Sequence, residues 1–236
     1  KFGEVPQEIL DRSEDYQGWI SRSWIQEEYI HVDILPAKLS LPRRYAFRYV
    51  EIEVIDVSLK FSLQIKNAIC TAVSAVDFHD VVPIETGDVM LNEMDRISVR
   101  TLQECMQDVF EDGPKRDRRL WLGDLRLQAR ANYESFQNYD LAKRCLYLFG
   151  GLTFNEGKVS ACIFTEPEPE PDDTYLMDYA LLFGAVLLDY YEATGDRKTL
   201  EDLYPIAIRQ IEICVAELDE RHVVKDPGDA FVCFID

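Results

Sequence analysis

The spacing of apolar residues changes near position 90, and this change divides the chain into two kinds of structure. Before it, apolar and polar residues alternate in YAFRYVEIEVIDV (45–57) and KFSLQIK (60–66), as expected of half-buried strands. AICTAVSAV (68–76) is continuously apolar and rich in small and β-branched residues, which is typical of a strand covered on both faces. We therefore expect residues 1–90 to form part of a β-sandwich.

After position 90 the apolar residues recur every 3.6 positions. One face of the first predicted helix carries Leu91, Met94, Ile97, Ser98, Thr101, Leu102, Cys105 and Val109. Further helices are predicted over 124–136, 139–150 and 175–193, and from Pro205 onward with a buried stripe at Ile208, Ile211, Cys214, Val215 and Leu218. A short strand is expected over 158–164, whereas the prolines of EPEPEP (166–171) exclude a helix there. The unequal loops favour paired antiparallel helices in a toroid or bundle over 91–236.

The net charge restricts the partners that this chain can bind. With 44 acidic and 25 basic residues, the formal charge is −19 at pH 7, the opposite of what binding to a phosphate backbone requires. Nucleic acid and anionic membrane surfaces are therefore not expected as partners. The longest apolar helical stretch, YALLFGAVLL (179–188), is much shorter than the roughly 20 residues of a membrane span. We interpret it as a buried core helix.

The cysteines show neither a metal-binding nor a disulfide pattern. Cys70, Cys105, Cys145, Cys162, Cys214 and Cys233 are widely spaced, without a C-x-x-C pair or a histidine at ligand spacing, so a zinc site is not expected. Several lie on apolar helical faces, where a free thiol behaves as a small hydrophobic group. This favours a reducing compartment such as the cytoplasm, and pairing in an oxidising compartment, secreted or periplasmic, stays open.

The two ends of the sequence lead us to expect an internal piece of a longer polypeptide. The chain begins KFGEVP, without an initiator methionine or a signal-peptide pattern, and it stops at FVCFID, in the middle of an apolar run. The rest of the parent chain is then a natural partner of this piece.

The most unusual segment is EDGPKRDRRLWLGD (111–124), with four acidic and four basic residues around a Gly-Pro pair and a tryptophan. Gly113 and Pro114 end the preceding helix, so these charges belong to a turn-rich connection. Glycoside hydrolysis needs one carboxylic acid to protonate the leaving oxygen and a second carboxylate for water or the anomeric carbon. Clustered acids favour protonation of one another, and a tryptophan offers a flat apolar face to a sugar.

The same residues also fit a purely structural role. In that case, Asp124 is a helix N-cap, Trp121 packs in the core, and Arg116, Arg118 and Arg119 form solvated ion pairs with nearby acids. Composition alone leaves both interpretations open.

The segment resembles the active-site signature of the inverting bacterial α-L-rhamnosidases of glycoside hydrolase family 78. That signature reads D-C-P-x-R-E followed by W-x-G-D, on the first long loop of an (α/α)6 barrel. The residues that match in identity and spacing are Asp112, Pro114, Arg116, Trp121, Gly123 and Asp124, and Asp117 falls on the general-acid glutamate. LPRRYAFRYVEIEV resembles the closing strands of the β-sandwich that precedes the barrel, and GDLRLQARANYESF resembles its second helix.

The resemblance implies a multidomain, mostly α protein. Residues 1–90 are then the C-terminal part of a β-sandwich domain, and 91–236 are the N-terminal part of an (α/α)6 catalytic barrel. The implied activity is release of terminal α-L-rhamnose from a rhamnose-containing glycoside by an inverting acid/base mechanism, without a metal or other cofactor.

The resemblance also assigns roles to the residues of the loop. Asp117 is the implied proton donor, Asp112 and Asp124 bind rhamnose hydroxyls, Arg116 orients them, and Trp121 lines the sugar subsite. A surface acid is the stronger interpretation of Asp236, which otherwise contributes from a later loop. The family's general base is a late-loop glutamate that we expect beyond Asp236, so the isolated fragment is expected to be inactive.

Asp117 keeps a second function open. It is one methylene shorter than the family's glutamate, so the acid role is weakened or moved to a neighbour unless the backbone lies closer to the glycosidic oxygen. The alternative is a non-catalytic carbohydrate-binding or helical scaffold protein that keeps the loop for ligand recognition.

Overall fold

The computed structural model describes residues 1–11, 13–18, 22, 25–60, 62–225 and 233. Within these residues the chain divides into two compact units. The N-terminal unit comprises Lys1–Ala72 together with Pro114–Asp117, and the helical unit comprises Val73–Gly113 and Arg118–Asp236. Regular structure in this part of the chain is mostly helical, with two small antiparallel sheets.

The N-terminal unit is organised around a short strand pair. Strand β1 (Phe2–Gly3) pairs antiparallel with β2 (Tyr49–Val50), and helix α1 (Gln7–Leu10) follows β1. The Phe2 ring stacks on Tyr45 at 4.1 Å between centroids. Gln26 is buried and accepts the Phe2 amide proton at its backbone oxygen (2.9 Å), which ties the start of the chain to this unit.

Most of the predicted strands of this unit are absent from the described residues. Of residues 45–57 only Tyr49–Val50 form a strand, and neither 68–76 nor the described part of 60–66 forms one. Ile69 is 83% exposed, so the prediction that 68–76 is a strand covered on both faces is wrong, and Ile52, on the apolar face predicted for 45–57, is 58% exposed. Alternation shows which side chains share a face, but a strand also needs a neighbouring strand to complete its backbone hydrogen bonds.

The helical unit contains five α-helices and a three-stranded sheet among the described residues. They are α2 (Val89–Cys105), β3 (Leu120–Trp121), α3 (Leu122–Glu134), α4 (Tyr139–Gly151), β4 (Cys162–Phe164), β5 (Glu170–Pro171), α5 (Met177–Thr194) and α6 (Arg197–Ala216). The sheet order is β3-β4-β5, antiparallel throughout. Helix α5 packs against α3, α4 and α6, so it is the central helix of this unit.

Helix α5 confirms the interpretation of the apolar stretch 179–188 as a core helix. Phe183, Val186 and Leu187 are each at most 2% exposed, in one core with Phe149 of α4 and Leu122 of α3. In the described part of the chain, no helix has both the length and the hydropathy needed to cross a membrane.

Two details of the predicted helices are wrong. Helix α6 begins at Arg197, not at Pro205, because the Asp196 side chain accepts the Thr199 amide proton (3.1 Å) and caps the helix; Pro205 lies inside it. The buried residues of α6 are Thr199, Leu203, Ala207, Gln210, Ile213 and Cys214, so of the predicted stripe only Cys214 is buried.

The predicted buried face of α2 is buried only toward its C-terminal end. Leu102, Cys105 and Val109 are buried, whereas Leu91, Met94 and Ile97 are each more than half exposed. Periodicity identifies the face that the apolar side chains share, but it does not show whether another element covers that face.

Gln210 makes a buried polar connection between α6 and the segment before β4. Its side-chain oxygen accepts the Val159 amide proton (2.9 Å), and its Nε2 donates to the carbonyl oxygens of Gly157 (2.8 Å) and Ile206 (3.0 Å). Gln210 and Val159 are fully buried. Gln210→Met is therefore expected to lower the free energy of unfolding by about 2 to 4 kcal/mol, because it leaves a buried donor and acceptor without partners.

Gln107→Met provides the matched control for this prediction. Gln107 also donates from Nε2 to two backbone oxygens, those of Val73 (3.0 Å) and Glu104 (3.0 Å), but at the protein surface, where water can replace the lost bonds. Urea unfolding should show a change below about 0.5 kcal/mol for this variant. Equal effects of the two substitutions would show that burial does not set the cost.

Candidate active site

The connection between α2 and α3 is closed at its base by backbone hydrogen bonds. The Asp112 amide donates to the Arg119 carbonyl (3.0 Å), and the Arg118 amide donates to the Gly113 carbonyl (3.2 Å). The Asp112 carboxylate accepts the Gly113 amide proton (2.8 Å). Hydrogen bonds of both its backbone and its side chain thus hold Asp112 in place near the start of the charged segment.

Glu111, the residue before Asp112, is held by hydrogen bonds to α2 and α3. Glu111 is only 6% exposed; its amide donates to the Cys105 carbonyl at the end of α2 (2.8 Å). Its carbonyl accepts a hydrogen bond from Gln128 Nε2 of α3 (2.6 Å). The first half of the loop therefore leaves the core in a defined direction.

The second half of the loop runs into a strand and then directly into a helix. Leu120 and Trp121 pair with Ile163 and Cys162 of β4, and α3 begins at the next residue. Trp121 is the N-cap residue of α3, and Asp124 lies in the first turn of this helix. The interpretation of Asp124 as the N-cap is therefore wrong. Trp121 is partly buried and packs against the hydrophobic core.

A tyrosine from α5 packs against this junction. The Tyr179 ring lies edge-on to Trp121, with centroids 6.3 Å apart and an interplanar angle of 87°. A Cβ atom at Gly123 would lie 2.6 Å from Cζ of the same ring. The glycine of the W-x-G-D sequence is thus needed for close approach of Tyr179, which the sequence analysis did not identify.

The electrostatics of this region couple Asp112, Asp124 and Tyr179. Burial raises the pKa of Asp124 above its ordinary value, and the negative charge of Asp112 raises that pKa further. Burial also raises the pKa of the Tyr179 phenol, with contributions from the charges of Asp124 and Asp178. Within the helical unit, two of the predicted carboxylates therefore interact electrostatically, and both are partly buried. Such groups can hydrogen-bond sugar hydroxyls, and the rings offer apolar faces.

The remaining predicted residues belong to the N-terminal unit. Arg116 and Asp117 form a contact of 3.5 Å between Nη1 and Oδ1, and Arg116 is exposed whereas Asp117 is partly buried. Lys115, immediately before them, forms an ion pair with Glu8. Asp236 lies outside the described residues.

Arg119 also lies in this connection, and the sequence analysis gave it only a structural role. The Arg119 guanidinium lies over the Phe164 ring of β4, 4.3 Å from its centroid. This cation–π contact holds Arg119, near the end of the loop, against strand β4. Within the described residues, no group of three or more histidine, cysteine, aspartate or glutamate side chains could hold a metal ion.

Comparison with known domain families gives two matches along the chain. The model of the glycosyl hydrolase family 78 alpha-rhamnosidase N-terminal domain matches residues 1–72. The model of the bacterial alpha-L-rhamnosidase six-hairpin glycosidase domain matches residues 79–229, more than half of the chain. The helical unit is consistent with a six-hairpin glycosidase domain. No curated protein matches this sequence.

Two solved structures resemble the chain. A rhamnosidase from Klebsiella oxytoca with rhamnose bound is 47% identical, with a TM-score of 0.92 over 100% of this chain and 45% of its own. A GH78 family rhamnosidase of Bacillus sp. GL1 is 22% identical, with a TM-score of 0.56 over 63% of this chain and 15% of its own, and shows the fold alone. This chain thus spans less than half the length of the Klebsiella enzyme. From the two domain matches and the 47% identity, the chain belongs to glycoside hydrolase family 78, the α-L-rhamnosidases.

Proposed function

We propose that this chain is part of an inverting α-L-rhamnosidase that releases terminal rhamnose from a glycoside. The observation that carries the proposal is the 47% identity to a rhamnosidase with rhamnose bound, together with the electrostatic interaction of Asp112 with Asp124, which lies in the first turn of the helix that begins after Trp121. Two carboxylates whose charges interact, with a tryptophan in the same segment, suit a ligand with several hydroxyls and an apolar C–H face.

In this proposal Asp117 is the proton donor, and Asp112 and Asp124 bind rhamnose hydroxyls. Protonation of the glycosidic oxygen allows it to leave as an alcohol while positive charge develops at the anomeric carbon. The negative charge of the two binding aspartates stabilises that positive charge. Arg116, 3.5 Å from Asp117, orients the donor, and Trp121 lines the sugar subsite.

The proposal places the general base outside this sequence. An inverting glycosidase needs a second carboxylate, roughly 6.5 to 9.5 Å from the acid, to activate water on the opposite face of the sugar. More than half of the Klebsiella rhamnosidase has no counterpart in this chain, which supports a longer parent protein. The proposed architecture is the end of a β-sandwich followed by the first part of an (α/α)6 barrel. No cofactor is required by this chemistry.

The full-length parent protein is expected to hydrolyse nitrophenyl α-L-rhamnoside and to release β-L-rhamnose first. Inversion follows because water attacks directly, opposite the leaving group. Proton NMR during the first minutes of reaction distinguishes the two anomers before they equilibrate. Release of the α-anomer first would contradict inversion. Binding of rhamnoside without turnover would favour the carbohydrate-binding alternative, and the isolated 236-residue chain, which lacks the proposed base, is the inactive control.

A further inference from the structure

The segment that carries the proposed proton donor is tied to the N-terminal unit by a nearly buried ion pair. Pro114–Asp117 belongs to the same compact unit as residues 1–72. Within it, Lys115 Nζ donates to Glu8 Oε2, and the two side chains are only 6% and 17% exposed. Lys115 precedes Asp117 by two residues, so anchoring its side chain restricts where the Asp117 backbone can lie.

Glu8 is itself held in place by the start of the chain. Its Oε2 atom accepts the Glu4 amide proton (2.7 Å), and its backbone lies in α1 (Gln7–Leu10). A Cβ atom at Gly3 would lie 3.0 Å from Glu8 Cβ, so α1 packs closely on β1, which in turn pairs with β2. The carboxylate that receives Lys115 is therefore fixed to the strand pair of the N-terminal unit.

The burial of this ion pair distinguishes it from the surface pairs of the chain. Arg197 and Glu201 form an i,i+4 pair at 2.7 Å with side chains 81% and 59% exposed, where solvent screens the attraction. Loss of Glu8 instead removes an ion-pair partner from the nearly buried Lys115 ammonium, which favours movement of Lys115 toward water. Because Arg116 and Asp117 follow directly, that movement changes the direction in which the proposed donor points.

We propose that Glu8 is a positioning residue for the proton donor, acting through Lys115 on the segment that carries Asp117. The proposal rests on the proposed function, since it needs Asp117 to be the acid. It gives the N-terminal unit a role in the chemical step, through an ion pair that the family signature around Asp112 does not contain.

The test measures kcat/KM of the full-length parent on two aryl α-L-rhamnosides. Methoxyphenol is a poor leaving group and needs protonation, whereas dinitrophenol leaves without it. Glu8→Gln and Lys115→Met are expected to lower kcat/KM by roughly 10- to 100-fold on the methoxyphenyl substrate, the cost of misplacing a catalytic group by about 1 Å. On the dinitrophenyl substrate the loss should stay below about 3-fold, since binding and attack by water are unaffected.

Arg43→Met is the matched control. It removes an ion pair of the same unit, between Arg43 Nε and Glu28 Oε1 (2.7 Å), which lies outside the loop. Any loss of activity in this variant should be equal on the two substrates. If Glu8→Gln destabilises the protein, the double variant Glu8→Lys with Lys115→Glu restores a reversed pair and should recover activity on the methoxyphenyl substrate.

Two results would overturn the proposal. One is an equal loss on both substrates in Glu8→Gln, which a purely structural role predicts. The other is full activity of Glu8→Gln on the methoxyphenyl substrate. If Asp117→Asn shows the leaving-group-dependent loss and Glu8→Gln does not, only the positioning role fails. If Asp117→Asn does not show it either, the proposed acid itself is wrong.

Discussion

Asp117→Asn in the full-length protein is expected to lower kcat on a methoxyphenyl α-L-rhamnoside by about 10²- to 10⁴-fold, the usual contribution of a general acid. The amide has nearly the shape of the carboxyl group but cannot donate a proton to the leaving oxygen. KM should change little, because Asp112 and Asp124, not Asp117, are proposed to hold the sugar. Initial rates at saturating substrate measure the effect.

Asp108→Asn is the control for this variant. Asp108 is exposed in the same connection, between α2 and β3, and its substitution removes the same charge from the loop. Its kcat should remain within about 2-fold of the unmutated protein, as for surface substitutions generally. Comparable losses in Asp108→Asn and Asp117→Asn would mean that the charge of the loop, and not a proton donor, supports the reaction.

Asp124→Asn is expected to make the protein more stable and less active. Burial and the nearby charge of Asp112 raise the pKa of Asp124, so the folded state disfavours the ionised carboxylate. A neutral amide of the same size removes that unfavourable charge and should raise Tm at pH 7. Loss of the charge that stabilises the transition state should lower kcat/KM by roughly 10²- to 10³-fold.

The pH dependence provides the check on this explanation. A carboxyl whose pKa is raised on folding binds protons more tightly in the folded state than in the unfolded state, so stability falls as the pH rises through that window. The Tm advantage of Asp124→Asn should therefore be largest above the raised pKa and should disappear below the ordinary pKa of 3.8, where Asp124 is protonated in both states. A Tm advantage that is independent of pH would contradict the electrostatic cause.

Helices with a clear start and stop were predictable from the sequence. The predicted helices at 139–150 and 124–136 correspond to α4 (Tyr139–Gly151) and α3 (Leu122–Glu134) within two residues at each end. Asn138 caps α4 by accepting the Leu141 amide proton (3.1 Å), which is a local interaction. The predicted start of the last helix at Pro205 is wrong because the side chain of Asp196 caps α6 more than one turn earlier, and Pro205 lies inside the helix.

Features that depend on distant residues were not predictable. Alternation predicts strands over 45–57, but pairing requires a partner, and among the described residues β2 (Tyr49–Val50) pairs with Phe2–Gly3. In the same way, periodicity identified the apolar face of α2 but not that its N-terminal half is exposed. Periodicity describes one element, whereas burial depends on two.

The candidate site was predictable in residue types but not in its surroundings. Spacing alone left a structural role open for Asp112 and Asp124, and the resemblance to the family signature selected them; in the structure the charge of Asp112 raises the pKa of Asp124. Tyr179 lies on α5, far along the chain, and nothing near it in sequence marks it as a neighbour of Trp121. The close approach at Gly123 is visible only once the helices are packed.

The most direct test of the central claim, that Asp117 protonates the leaving group of a rhamnoside, is the dependence of kcat/KM on leaving-group pKa across a series of aryl α-L-rhamnosides. The unmutated full-length protein should show a shallow dependence, because the acid neutralises the departing oxygen. Asp117→Asn should show a steep one, with rates falling as the leaving group becomes more basic. Parallel lines for the two proteins would contradict the assignment.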